Sequence, residues 1–147
     1  MTNGNAMLRL TESVYNQIKE TIGNIPPEHG GVLGSGDGIT ITDYYYDYSG
    51  FTSSDSYCPD CNKINAVLEN EWAVNNVYLA GVVHSHDSTC DFPSCGDIAY
   101  AEKIMQSAEM EHMYLPIVIT KPFRVIGYSV KLVNGIVVTN KEHITIV

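Results

Sequence analysis

The sequence predicts a single domain built as a mixed sheet with helices packed on it, an α/β or α+β layer architecture. Three observations predict it. Leu10, Val14, Ile18 and Ile22 recur at helical spacing, residues 78–83 form a short apolar run, and the last third of the chain is β-rich around an Asn134-Gly135 turn. At 147 residues the chain has the usual length of one domain with a real core.

Residues 1–7 read as a flexible tail and residues 8–147 as the domain. The stripe from Leu10 to Ile22 predicts an amphipathic helix over 8–22, and Pro26 and Pro27 end any helical run. An extended segment at 30–33 leads into the turn Gly34-Ser-Gly-Asp-Gly38, and a strand is expected at 39–42. Residues 43–60 are rich in Tyr, Ser, Asp and Gly with no period, which reads as a long loop or an irregular edge. Tyr44, Tyr45, Tyr46 and Tyr48 in that stretch suit a substrate groove or an edge strand equally well.

Ile64, Val67, Leu68 and Trp72 share one helical face, so a helix is expected over 61–75 with Asp60 as its N-cap. Residues 78–83 fit a buried central strand ending at His84, and 85–93 a polar loop. Ser94 then precedes Ile98, Ala101, Met105 and Ala108, the stripe of another amphipathic helix. Strands are expected at 115–119 and 123–133, separated by a turn at Lys121-Pro122. Asn134-Gly135 joins the second of these to 136–139 as a hairpin, and 144–147 can add an edge strand. No internal repeat or linker divides the chain.

The formal charge of -9, with eight Lys and Arg in all, argues against nucleic acid as a partner. From Glu20 to Glu102 there is a single basic residue, Lys63, against thirteen acidic ones counting both ends. Ordinary acidic solubility accounts for this, and the charge would also favour a neutral or basic docking surface. No apolar run is long enough for a transmembrane helix. The N-terminus lacks the charge and apolar region of a secretory signal, so the expected location is the cytoplasm, away from the membrane.

Residues 84–97 read His-Ser-His-Asp-Ser-Thr-Cys-Asp-Phe-Pro-Ser-Cys-Gly-Asp. A His-x-His pair leaving a strand puts both imidazoles on one face, because side chains alternate with period two. Neutral imidazoles are good zinc ligands. With Ser94 as N-cap, Asp97 sits at the third helical position, where it can turn back toward the strand end. His84, His86 and Asp97 would then leave the fourth position of a tetrahedral zinc open for water, as in catalytic rather than structural sites. Each piece also has a plainer explanation: two surface histidines, and a capping box in which Asp97 binds only backbone. Hydrolysis by zinc needs a general base, and Glu28 is the best placed, in a segment stiffened by Pro26 and Pro27. His29 is taken as a loop residue.

With these residues in view, the chain resembles the JAB/MPN/Mov34 family of JAMM zinc metalloproteases. That motif is an upstream glutamate, then His-Ser/Thr-His, seven residues, a Ser, two residues and an Asp. It is met here by Glu28, His84-Ser85-His86, Ser94 and Asp97 without a departure in spacing. The resemblance implies zinc ligands at His84, His86 and Asp97, and catalytic roles for Glu28 as proton carrier and Ser94 as oxyanion donor. It also implies a cytidine-deaminase-like α/β sheet with helices on both faces, and cleavage of a peptide or isopeptide bond. Substrates in that family include ubiquitin-like or sulfur-carrier proteins and small peptide conjugates. This chain lacks the large insertions of the eukaryotic deubiquitinases and is closer to the small bacterial or phage branch. The rival functions are a non-catalytic scaffold, which typically lacks metal ligands, and a hydrolase of small or cell-wall peptides. The oligomeric state is not legible.

Cys58, Cys61, Cys90 and Cys95 depart from the family pattern. Three explanations stay open: a second, structural zinc bound by all four, disulfides, or free thiols.

Overall fold

The computed structural model describes residues 7–147. The first six positions of the expected N-terminal tail lie outside the described residues; Met7 opens the first strand, β1 (Met7–Leu10). A helix over 8–22 was expected. Instead β1 precedes a shorter helix, α1 (Glu12–Glu20). Leu8 and Leu10 alternate as well as they step helically, and the tie is broken far away in the chain. β1 pairs in parallel with residues 143–146, and Thr11 caps α1 by accepting a hydrogen bond from Val14 N at 3.2 Å.

β2 (Gly30–Ser35), β3 (Thr40–Ile41) and β4 (Asp43–Tyr46) follow. β4 lies in the stretch expected to be aperiodic, and it pairs antiparallel with β2. A small separate hairpin, β5 (Phe51–Ser53) with β6 (Ser56–Cys58), comes next. Helix α2 (Cys61–Val67) carries Asp60 as N-cap and continues through a π turn (Leu68–Trp72) and a 3₁₀ turn (Ala73–Asn75). Asn76 in the left-handed region (φ 59°) stops it. The central strand β7 (Tyr78–His86) is longer than expected and contains both histidines. α3 (Cys95–Ser107), β8 (His112–Tyr114), β9 (Ile117–Thr120), β10 (Phe123–Val133) and β11 (Ile136–Ile146) complete the chain. Asn134 and Gly135 both have positive φ (52° and 76°), as a two-residue hairpin turn demands. β11 is one long interior strand, flanked by β10 and β1, rather than a short strand followed by an edge.

The main sheet runs β3-β1-β11-β10-β8-β7-β2-β4, with β9 bridging β10 and β7. It is mixed, and helices flank it. Adjacent residues show how its faces divide. Leu33 and Val83 pack with Val14 and Ile18 of α1, while their neighbours Val32 and Val82 pack with Ile64 of α2 and with Ala101 and Met105 of α3. Neighbours in a strand point to opposite faces, so α1 covers one face and α2 with α3 the other. Ala80 is an extra residue opposite the step from Leu33 to Gly34, which pair with Gly81 and Leu79. This bulge reverses the alternation, so that Leu79 joins Val82 on the α2–α3 side. No helix among the described residues is long and apolar enough to cross a membrane.

Candidate metal centre

His84 and His86 sit two apart on β7, so both imidazoles project from the α2–α3 face. On the neighbouring strand β9 they stand opposite Ile117 and Ile119, which are fully or almost fully buried. This apolar flank keeps water off the rings; His84 is 6% and His86 2% exposed.

Asp97 arrives from the first turn of α3. Ser94 Oγ accepts from Asp97 N at 3.1 Å, and Asp97 Oδ2 accepts from Ser94 N at 2.8 Å, a complete capping box. The capping box therefore does not exclude a ligand role: the carboxylate that caps the helix also faces both rings. Asp97 Oδ1 lies 2.8 Å from His84 Nε2, and Oδ2 lies 3.0 Å from His86 Nε2. All three ligating groups fall within 4.8 Å of one another, and they are the one such cluster among the described residues.

The donor chemistry fits a cation. His86 Nδ1 is 3.0 Å from the carbonyl oxygen of Cys90, which accepts the ring N–H and leaves the Nε2 lone pair facing Asp97. His84 Nε2 is buried and has no hydrogen-bond partner, although Asp97 Oδ1 is close by. The two atoms are in contact without an aligned hydrogen bond, which leaves the nitrogen available to a cation. Two lone pairs and a carboxylate converging in a dry site repel unless a proton or a metal ion lies between them. Burial alone would raise the Asp97 carboxyl, but the contacts from His84 and His86 outweigh it and hold it well below the usual carboxylate range. Such a carboxylate stays ionised, as a ligand must.

Glu28 lines the same cleft as the three. Burial raises its pKa, Asp97 adds to the rise, and the two histidines pull it back. A carboxylate displaced upward is better matched to proton transfer near neutral pH. Its position is set by the middle residue of the His-Ser-His motif, to which the sequence assigned no role. Ser85 lies between the two histidines, points to the opposite face and is fully buried. Its Oγ accepts from His29 N at 3.0 Å, and its own N–H donates to His29 O at 2.9 Å. That clamp fastens the segment carrying Glu28 to the strand carrying both ligands. His29 is not part of the metal cluster.

The hairpin β5–β6 closes the site. The Tyr57 ring stacks over His84 (centroids 6.5 Å apart, planes at 29°), and its hydroxyl donates to Asp47 Oδ2 at 2.6 Å. The same oxygen accepts from Asp60 N at 2.9 Å, so buried Asp47 ties the hairpin to the start of α2. Gly30 leaves room for this ring, since a Cβ there would overlap the Tyr57 side chain. Tyr57 and Asp47 lie in the stretch that carried no period, and only their tertiary partners reveal them. The loop after His86 is pinned by Tyr128, whose hydroxyl donates to Asp91 O at 2.9 Å.

The four cysteines carry no disulfide; Cys58, Cys61 and Cys95 are exposed and Cys90 half-buried. The structure does not draw them into a cluster of three or more ligands. Cys61 Sγ lies 3.9 Å from the Tyr100 hydroxyl. A cleft of about 1120 Å³ opens at the His84–His86–Asp97 end and continues between α2 and α3.

Neither a protein-family model nor a curated protein matches the chain. The chain is similar in fold to the solution structure of protein DSY2949 from Desulfitobacterium hafniense, with a TM-score of 0.66 at 20% identity over 96% of this chain and 93% of that one.

Proposed function

We propose that this chain is a zinc-dependent metallopeptidase or isopeptidase of the JAB/MPN/Mov34 type, with the cytidine-deaminase-like sheet of that family. The observation that carries the proposal is the buried convergence of His84 Nε2, His86 Nε2 and the Asp97 carboxylate, one nitrogen orphaned, in a cleft that Glu28 and Ser94 also line. His84, His86 and Asp97 would hold the ion. When bound, zinc supplies a Lewis acid that polarises the amide carbonyl and makes a nucleophile available near neutral pH.

This chain's own groups supply the rest. Glu28 takes the proton from the attacking water and returns it to the departing amine, a shuttle favoured by its raised pKa. Ser94 Oγ accepts one hydrogen bond from Asp97 N, which leaves its own hydrogen free to donate where negative charge develops on the carbonyl oxygen. Tyr57 and the Ile117–Ile119 flank keep the site dry, which strengthens each of these interactions. The proposed substrate is a peptide or the tail of a ubiquitin-like protein, met in the cytoplasm without nucleic acid or membrane.

Purified protein is expected to carry about one equivalent of tightly held zinc, and His84→Ala to lose it. Metal content unchanged by His84→Ala would sink the ligand set. A further equivalent, removed by Cys58→Ser, would mean that the cysteines hold a structural ion. Glu28→Gln should keep the zinc and lower hydrolysis by about 10²- to 10⁴-fold on amide conjugates of ubiquitin-like proteins or on short peptides. A chain with no bound metal and no turnover would instead be a scaffold.

A further inference from the structure

The two histidines of the candidate metal centre are steadied in different ways. The His86 ring is oriented by a hydrogen bond from Nδ1 to the carbonyl oxygen of Cys90 at 3.0 Å, the usual support for a ligand imidazole. Among the described residues no such bond holds Nδ1 of His84. What meets that ring is Tyr57, stacked over it with centroids 6.5 Å apart and planes at 29°. The stack falls within the range of an offset aromatic pair.

Tyr57 needs support of its own. It belongs to the hairpin β5–β6, which joins no strand of the main sheet, and an isolated two-stranded hairpin is marginally stable. Ser53 O accepts from Glu28 N at 2.9 Å, which fastens the β5 side. The β6 side is fastened by the Tyr57 hydroxyl, which donates to Asp47 Oδ2 at 2.6 Å. Asp47 is in turn fixed to the sheet and to α2, since its N–H donates to Gly30 O at 3.0 Å and its Oδ2 accepts from Asp60 N at 2.9 Å. A Cβ at Gly30 would overlap the Tyr57 ring, and one at Gly50 would overlap both the ring and the Asp47 carboxylate. The ring therefore sits in a slot that two glycines leave open and one carboxylate closes.

Asp47 is an expensive fastener. It is 1% exposed, and its Oδ1 is buried with no partner. A half-partnered carboxylate costs stability that a neutral acceptor would not, so holding the hairpin does not account for the charge. A cation nearby does. A phenol that donates to a carboxylate has an electron-rich face, and such a face attracts an imidazole that shares the positive charge of a bound ion.

We propose that Asp47 and Tyr57 are positioning residues for His84: Asp47 fixes the Tyr57 ring, the ring orients the His84 imidazole toward His86 and Asp97, and the pair raises the affinity of the centre for zinc. This rests on the metal-binding part of the function proposed above and is independent of hydrolysis.

Zinc affinity measured by competition with a chelating indicator, alongside urea unfolding of the metal-free chain, tests it. Tyr57→Leu removes the ring and should weaken zinc about 10- to 100-fold. Asp47→Asn keeps an oxygen that can accept from Tyr57 and from Asp60 N but removes the charge. Its zinc affinity should fall about threefold to tenfold while its unfolding midpoint stays level or rises. Thr11→Ala, which loosens α1 on the other face, should leave zinc affinity unchanged. Affinity and stability moving in opposite directions in Asp47→Asn is the result that a merely structural part would not give. Zinc affinity within twofold of wild type in both hairpin variants would overturn the proposal. So would an equal loss of affinity in Thr11→Ala, which would mean that affinity follows overall stability. Wild-type protein that binds no zinc would remove this proposal together with the metal centre, whereas tight zinc without turnover would discard the hydrolase and keep it.

Discussion

The two faces of the central sheet are built from the same strands and do opposite work. On the α1 side, Leu8, Leu10, Val14, Ile18, Leu33, Val83 and Val118 are all fully buried and close on one another. On the α2–α3 side the same strands present Val32, Val82, His84 and His86 to a cleft of about 1120 Å³. A dry, interlocked face supplies stability. A face left partly open can place two imidazoles, a helix-capping carboxylate and a glutamate within reach of a ligand. The difference teaches that the fold can carry the cost of desolvated polar groups on one side because the residues of the other side are fully buried against one another.

The sharpest way to break this comparison is to damage each face in turn. Leu33→Ala, on the packed side, should cost about 2–5 kcal/mol in urea unfolding, because neighbours with no exposure cannot collapse into the gap. Leu68→Ala, on the half-buried cleft wall, should cost under about 1.5 kcal/mol and act mainly on ligand binding. Comparable losses at both positions would mean that the cleft is as tightly packed as the core.

Ser85 crosses the divide. It stands on the packed side and sets the geometry of the open one, through its clamp on His29. Ser85→Ala should lower stability by about 1–2 kcal/mol. On the proposed hydrolytic function it should also slow turnover by about 10- to 100-fold with zinc content and KM unaltered, since a misplaced base costs rate rather than binding. Ser85→Thr should recover most of the rate. A rate equal to wild type in the Ala variant would leave Ser85 with a purely structural part.

Thr11→Ala removes the cap of α1 and should cost about 1 kcal/mol in the same unfolding experiment, with turnover unchanged. Any change in turnover would mean that the two faces are coupled.

The smallest expected effect is the pH dependence of the metal-free chain. Asp97 is held below its ordinary value, so its contribution is present above the unfolded carboxylate pKa and is lost as pH falls through the folded value. Burial pulls His86 down, but Asp97 and Glu28 outweigh it and hold the ring above its ordinary value. Its contribution is therefore full below the unfolded histidine pKa and is lost as pH rises through the folded one. Metal-free protein should be most stable between about pH 4 and 6.5. Zinc, which competes with protons for the same groups, should move that maximum upward. A flat profile in metal-free urea titrations would mean that the pair contributes nothing.

Much of the architecture was legible because local physics repeats at short range. The stripes at Ile64–Trp72 and Ile98–Met105 lie on helices, Asp60 and Ser94 are the caps, and Asn134-Gly135 is the hairpin turn. The failures share one cause. Leu8 and Leu10 fit a helix or a strand until residues 143–146 arrive beside them, and the edge strand offered for Tyr44 to Tyr46 is chosen over a loop only by pairing with β2. The bulge at Ala80 inverts which side of β7 faces the cleft, and no period predicts an inversion.

For the candidate metal centre, the sequence by itself determined the residue types, their spacing and the face of the strand: His84 and His86 two apart, with Asp97 one helical turn past a capping serine. Period two and helix capping are local, and a reader of the chain can count them. Tertiary structure alone decided that Asp97 caps the helix and meets both rings with one carboxylate, that Ser85 holds the Glu28 segment against the same strand, and that Tyr57 covers His84. Those contacts join residues distant in the chain, and their geometry depends on how helices and hairpin settle on the sheet, which no spacing along the chain encodes.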